Sequence, residues 1–129
     1  MTSCYLLDTN IAIALLNGDR AITQQVENIP TVRLSVTIVG ELLYGAEKSQ
    51  RTDSNRQRIQ PLLDRLKTIR PDLETANRYA IIKNQLRTKG RPIPENDLWI
   101  AAIAVQHNLI LVTRDSDFGA IEGLQLEKW

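Results

Sequence analysis

Three short apolar runs, Ser3 to Leu7, Val32 to Val36 and Leu109 to Thr113, are rich in strand-forming side chains, and segments of helical apolar period separate them. Strands that alternate with helices pair in parallel through helical crossovers, which predicts an α/β fold around a central, mostly parallel sheet. The first helix is expected over Thr9 to Leu16, ended by Asn17-Gly18, and a short second one over Ala21 to Asn28. Thr37 to Lys48 reads as a third, with Ile38, Val39, Leu42, Leu43 and Ala46 on one face. Two more are expected over Asp53 to Ile69 and Leu73 to Thr88, divided at Arg70-Pro71 because the residue before proline avoids helix. Gly90 to Pro94 is a stiff turn, and Pro94 suits the first position of a helix that runs to about His107 and ends at Asn108. Leu124 to Leu126 reads as a last short strand.

A chain of 129 residues predicts one domain over 1–129, enough to bury roughly two-thirds of its unfolded surface. The single cysteine, Cys4, excludes an internal disulfide, and the longest apolar run, Leu98 to Val105, is too short to span a membrane. Asp8 breaks the only apolar stretch near the N-terminus, so no signal peptide is expected and a cytoplasmic location is. The net charge of +1 hides an asymmetry. Lys48 to Arg91 carries 12 Lys/Arg and 4 Asp/Glu, a balance of +8, and the remainder carries 4 and 11, a balance of −7. A basic middle could bring a polyanion to an acidic site, or it could simply be the solvated face of surface helices.

Four acids stand where a fold does not favour charge. Asp8 ends the run Tyr5-Leu6-Leu7, Glu41 interrupts Ile38 to Leu43, Asp97 opens Leu98 to Val105, and Asp115 follows Leu109 to Arg114. Each has an ordinary explanation. Asp8 could be a helix N-cap, with Thr9 and Asn10 orienting its carboxylate. Glu41 lies at the edge of an apolar stripe and could reach water, but Gly40 and Gly45 nearby suggest close approach of another element. Asp97 suits the first turn of a helix, although it shares a face with the small residues Ala101 and Ala104. Asp115 lies in Thr113-Arg114-Asp115-Ser116-Asp117, ordinary turn chemistry, and spacing does not decide between Asp115 and Asp117. Thr113 could add a hydroxyl to the same place.

Taken jointly, the acids imply one pocket. Parallel sheets place their sites beyond the carboxyl ends of the strands, where Asp8 and Asp115 fall. Carboxylates brought together repel, and a divalent cation removes that repulsion. All-oxygen ligands suit Mg²⁺ or Mn²⁺, ions that recur in phosphoryl chemistry.

At these residues the chain resembles the PIN-domain ribonucleases, specifically VapC-type toxins of bacterial toxin–antitoxin pairs. The resemblance rests on Leu6 to Ile11, Ser35 to Ala46, Ile93 to Ala102 and Leu111 to Phe118, in that order, with Gly123 to Trp129 as the closing strand. It implies a three-layer α/β/α sandwich and Mg²⁺- or Mn²⁺-dependent endonucleolytic cleavage of RNA phosphodiesters by metal-activated water. Asp8, Glu41, Asp97 and Asp115 would form the catalytic quartet. Asp8, Asp97 and Asp115 would hold the metal, Glu41 would bind it directly or through water, and Asp117 would share or replace the role of Asp115. Thr113 would take the family's polar strand-end position. The resemblance also implies a cognate antitoxin whose tail fills the groove, a homodimer, and RNA substrates with transfer RNA among the candidates.

Other classes fit less well. His107 is the only histidine, which excludes a histidine acid–base pair. An aspartyl-phosphate phosphatase would place a second Asp two residues after Asp8, where Asn10 stands, and a receiver domain would pair acids at the first strand. An inactive PIN-like module that binds RNA or protein is the remaining alternative, against which the intact quartet argues.

Overall fold

A computed structural model of the chain describes residues 3–129. Five short strands, β1 (Tyr5–Leu7), β2 (Val32–Ser35), β3 (Lys67–Ile69), β4 (Ile110–Val112) and β5 (Gln125–Glu127), form one sheet in the order β3-β2-β1-β4-β5. Every pairing is parallel, with Leu6 in register with Arg33 on one side and Leu111 on the other. Helices α1 (Thr9–Leu16) and α2 (Arg20–Asn28) link β1 to β2, and α3 (Val36–Glu47) and α4 (Thr52–Arg65) link β2 to β3. α5 (Leu73–Thr88) and α6 (Glu95–Gln106) then carry the chain back across β1 to β4. Right-handed crossovers in opposite directions place the two groups of helices on opposite faces, giving an α/β/α sandwich. Leu6, Leu7, Leu34, Leu111 and Val112 are fully buried between the layers, as the inner strands of a parallel sheet require.

The strand order reverses between β1 and β4, so this fold opens its crevice at their carboxyl ends. Asp8 follows β1 and its amide donates to the Val112 carbonyl (2.9 Å), while Thr113 follows β4.

Several boundaries differ from the sequence reading. The helix expected over Asp53 to Ile69 stops at Arg65, and Lys67–Ile69 leaves it to pair with β2 as an edge strand. Val36 begins α3 rather than ending β2, because the Ser35 hydroxyl accepts from the Ile38 amide (3.3 Å) and caps the helix. Pro94 is the N-cap of α6 rather than its first residue, its ψ of 150° being extended. The last strand is shifted by one residue, and a short 3₁₀ helix, Ser116–Ala120, precedes it. Asn108 does end α6, in the left-handed region at φ 55°. The close approach expected at Gly40 and Gly45 is absent: a Cβ at either position would meet nothing within 4 Å.

Candidate active site

Five acids surround the crevice, each delivered by a different local device. Asp8 is buried at the β1–α1 junction, where it N-caps α1, so its capping and site roles coincide. Its Oδ1 accepts the Thr9 amide (2.8 Å) and its Oδ2 accepts the Thr113 hydroxyl (2.7 Å). Thr113, itself buried, also accepts the Asp115 amide (3.0 Å). Asp115 in turn caps the 3₁₀ helix by accepting the Asp117 amide at its Oδ1 (2.9 Å). One hydroxyl thus links the segments that carry Asp8 and Asp115.

A second chain of hydrogen bonds fixes Glu41. The Thr9 hydroxyl donates to its Oε2, and the Asn96 amide donates to its Oε1 (3.1 Å). Thr9 therefore serves both carboxylates, Asp8 through its backbone and Glu41 through its side chain. Asn10, the other polar residue expected beside Asp8, has its Oδ1 buried without a hydrogen-bond partner. Sequence reasoning missed the role of Asn96; its one signal was a carboxamide directly before Asp97 in the first turn of α6.

Electrostatics bring all five acids together. Burial first, and then the charges of Asp8, Asp115, Glu41 and Asp117, push Asp97 from 3.8 up to about 6. Burial also raises Asp8, opposed by its hydrogen bonds from Thr113 and Thr9 and assisted by the charges of Glu41 and Asp115. The charge of Asp115 raises both Asp8 and Asp97, and that of Asp117 also raises Asp97. Ala101 and Ala104, fully or almost fully buried, let the Asp97 helix lie close to its neighbours.

Among the described residues, no three His, Cys, Asp or Glu side chains are drawn in tightly enough to hold a metal ion as they stand. The donor set nevertheless fits Mg²⁺ or Mn²⁺. It is all oxygen, and Mg²⁺ commonly keeps several waters and takes only one or two carboxylates plus substrate phosphate oxygens. The raised Asp97 is the residue a cation would relieve most directly.

The basic middle of the chain is partly engaged elsewhere. Arg56 pairs with Glu47, Arg78 with Glu74, Lys83 with Glu95 and Lys89 with Glu122, and Arg58 donates to the Leu16 carbonyl at the end of α1. Arg91 stands nearer the acids, in a cleft of roughly 470 Å³ that it shares with Ser116 and Asp117.

The PIN domain model matches residues 5–124. Ribonuclease VapC1 of Haemophilus influenzae is 35% identical over 130 residues, with 97% of each chain covered. The tRNA(fMet)-specific endonuclease VapC of Shigella flexneri is 33% identical over 129 residues, again with 97% of each covered. Among solved structures, DNA-bound VapBC from Salmonella typhimurium superposes with a TM-score of 0.93 at 30% identity, covering 100% of this chain and 99% of that one. VapBC2 from Rickettsia felis, bound to a promoter DNA fragment, gives a TM-score of 0.92 at 32% identity with 98% of each chain covered. A PIN domain match over residues 5–124 and relatives above 30% identity over 97% of the chain place it in the PIN-domain family, in its VapC ribonuclease branch.

Proposed function

We propose that this chain is an endoribonuclease that depends on Mg²⁺ or Mn²⁺ and acts as the toxin of a toxin–antitoxin pair. The observation that carries the reading is the hydrogen-bonded set that joins Asp8 to Thr113 and Asp115, and Thr9 to Glu41, at the crevice where the strand order reverses. Asp8, Asp97 and Asp115 would hold the cation, with Glu41 directly or through water and Asp117 at the rim. The ion supplies Lewis acidity toward a phosphate oxygen and lowers the pKa of water. The protein's part is orientation. Thr113 and the Thr9 amide fix both oxygens of Asp8, and Thr9 with Asn96 fixes Glu41, so their remaining lone pairs have set directions. Arg91, which shares a cleft with Asp117, would hold the RNA backbone there.

The names of the relatives supply the partner and substrate classes: VapBC complexes for an antitoxin, and a tRNA(fMet)-specific endonuclease for transfer RNA. An apolar groove of roughly 180 Å³, lined by Ile13, Leu16, Leu42, Ala46 and Ile59 and reaching Glu41, suits an antitoxin tail. The exposed apolar side chains Val36 and Tyr44 of α3, and Leu73 and Ile81 of α5, offer surface for a homodimer. Among the described residues no helix is long and apolar enough to cross a membrane, and the unpaired Cys4 suits a reducing cytoplasm.

Purified protein and end-labelled RNA test the reading. Cleavage is expected to need Mg²⁺ or Mn²⁺, to stop with EDTA, and to be lost in folded Asp8→Asn and Asp97→Asn. Undiminished cleavage by both variants would sink the metal-site assignment.

A further inference from the structure

A second charged feature lies along the β2–β3 side of the sheet. A cleft of roughly 370 Å³ is lined by Cys4, Arg33, Lys67, Thr68, Arg70 and His107, among others, and none of its lining residues is acidic. Cys4 immediately precedes β1 and His107 caps the end of α6, while Lys67–Ile69 is β3 itself and Arg70 follows it, so the cleft runs from the amino ends of β1 and β4 along the β3 edge. In the sheet register Arg33 and Lys67 are level with Leu6, about 7 Å along the strand before Asp8, and lie one and two strands to its side. Among the described residues, the ion-paired cations are Arg56, Arg78, Lys83, Lys89 and Arg114; Arg33, Lys67 and Arg70 are not among them.

The arrangement is unfavourable for a protein alone. Arg33 and Lys67 are direct register partners on neighbouring strands, so their side chains leave the same face of the sheet about 4.8 Å apart at the backbone. Like charges directly opposite one another destabilise a sheet, and Arg33 is half-buried, which weakens its hydration. An anion would remove both penalties. Lys67 and Arg70 are three residues apart, about 10 Å in extended chain, which is more than one phosphate group spans.

We propose that this cleft binds successive phosphates of the substrate RNA, anchoring its backbone away from the point of cleavage. The inference rests on the ribonuclease reading for the identity of the polyanion. Arg33, Lys67 and Arg70 contact phosphate oxygens. Such contacts position the strand and carry no sequence information themselves.

The test uses the full chain carrying Asp8→Asn, so that RNA is bound without being cut. Affinity for a labelled single-stranded RNA is measured by anisotropy across a salt series, with and without Arg33→Gln and Lys67→Gln together. Removing two phosphate contacts is expected to weaken binding at least tenfold at low salt and to reduce the slope of log K against log salt by about 1.4. Arg20→Gln with Arg51→Gln removes the same charge elsewhere; an equal loss there overturns the proposal. His107 is the only histidine, so its ring resonances report occupancy of the cleft. RNA is expected to shift them, and loss of that shift in the Arg33/Lys67 double variant supports the site. A shift with inorganic phosphate but none with RNA overturns it in favour of a small-oxyanion site. Cleavage by the unsubstituted chain is assayed in parallel. No cleavage with cleft-dependent RNA binding overturns the nuclease reading alone, whereas cleavage with cleft-independent binding overturns the anchor alone.

Discussion

The Thr113 hydroxyl donates to Asp8 and accepts from the Asp115 amide, so it holds two segments of the site in place at once. Thr113→Val leaves the buried Asp8 Oδ2 without its donor, an omission worth about 1–3 kcal/mol of stability. Urea unfolding is expected to register that loss and RNA cleavage to fall with it, while Thr113→Ser preserves both. Asp97 behaves in the opposite sense. Its carboxyl titrates at 3.8 as a free group and at about 6 in the fold, so between those values the folded state keeps a proton that the unfolded chain has released. Raising the pH through that window therefore favours unfolding, and the raised Asp8 contributes with the same sign. Thermal melts in EDTA should show Tm falling from pH 4 toward pH 7. Asp97→Asn should flatten that slope and raise Tm at pH 7, even as it abolishes cleavage. An unchanged slope would remove the electrostatic basis of the pocket.

At the scale of elements, helices α5 and α6 are joined by polar bonds at one end and by aromatics and charge near the other. Asp72 and Thr75 form a reciprocal capping box at the start of α5, and the fully buried Thr75 also donates to Gln106 at the end of α6. Tyr79 stacks on Trp99 at 4.1 Å between centroids, beside the Lys83–Glu95 pair. Asp72→Ala is expected to cost about 1 kcal/mol in denaturant unfolding through loss of the cap. Gly40→Ala should instead stabilise by roughly 0.5–1 kcal/mol, since its position is helical, exposed and free of neighbours within 4 Å. That same glycine shows where sequence reasoning overreached, for composition alone cannot distinguish a glycine required by packing from one merely tolerated. β3 shows where it fell short. Lys67-Thr68-Ile69 has neither the apolar run nor the alternation of an inner strand, and only pairing with β2 makes it one. The buried strands β1 and β4 were legible because their apolar runs leave no other place for them. Asp8, Glu41, Asp97 and Asp115 stood out because charge beside such runs is costly. Asn96, Thr9 as a partner of Glu41, and the cation cleft were hidden, because each depends on residues brought together by the fold.

For the whole molecule, mutual repulsion among the acids makes stability depend on what neutralises them. A ligand that binds only the folded state stabilises by about 2.7 kcal/mol at a hundred times its dissociation constant. Mg²⁺ or Mn²⁺ should therefore raise Tm at pH 7 in the unsubstituted chain. The rise should shrink below pH 6, where protons compete at Asp97, and should be much smaller in Asp97→Asn. Melting curves with and without the cation at the two pH values check both statements.

The bond from Thr113 to Asp8 closes a separation of 105 residues, and β1 reaches its partner β4 only when nearly all of the chain exists. During translation, at about 5–20 residues per second, the N-terminal carboxylates emerge long before the strand that completes their crevice. Until β4 and the residues after it have emerged, Asp8 lacks Thr113 and Asp115, and the crevice they share cannot form.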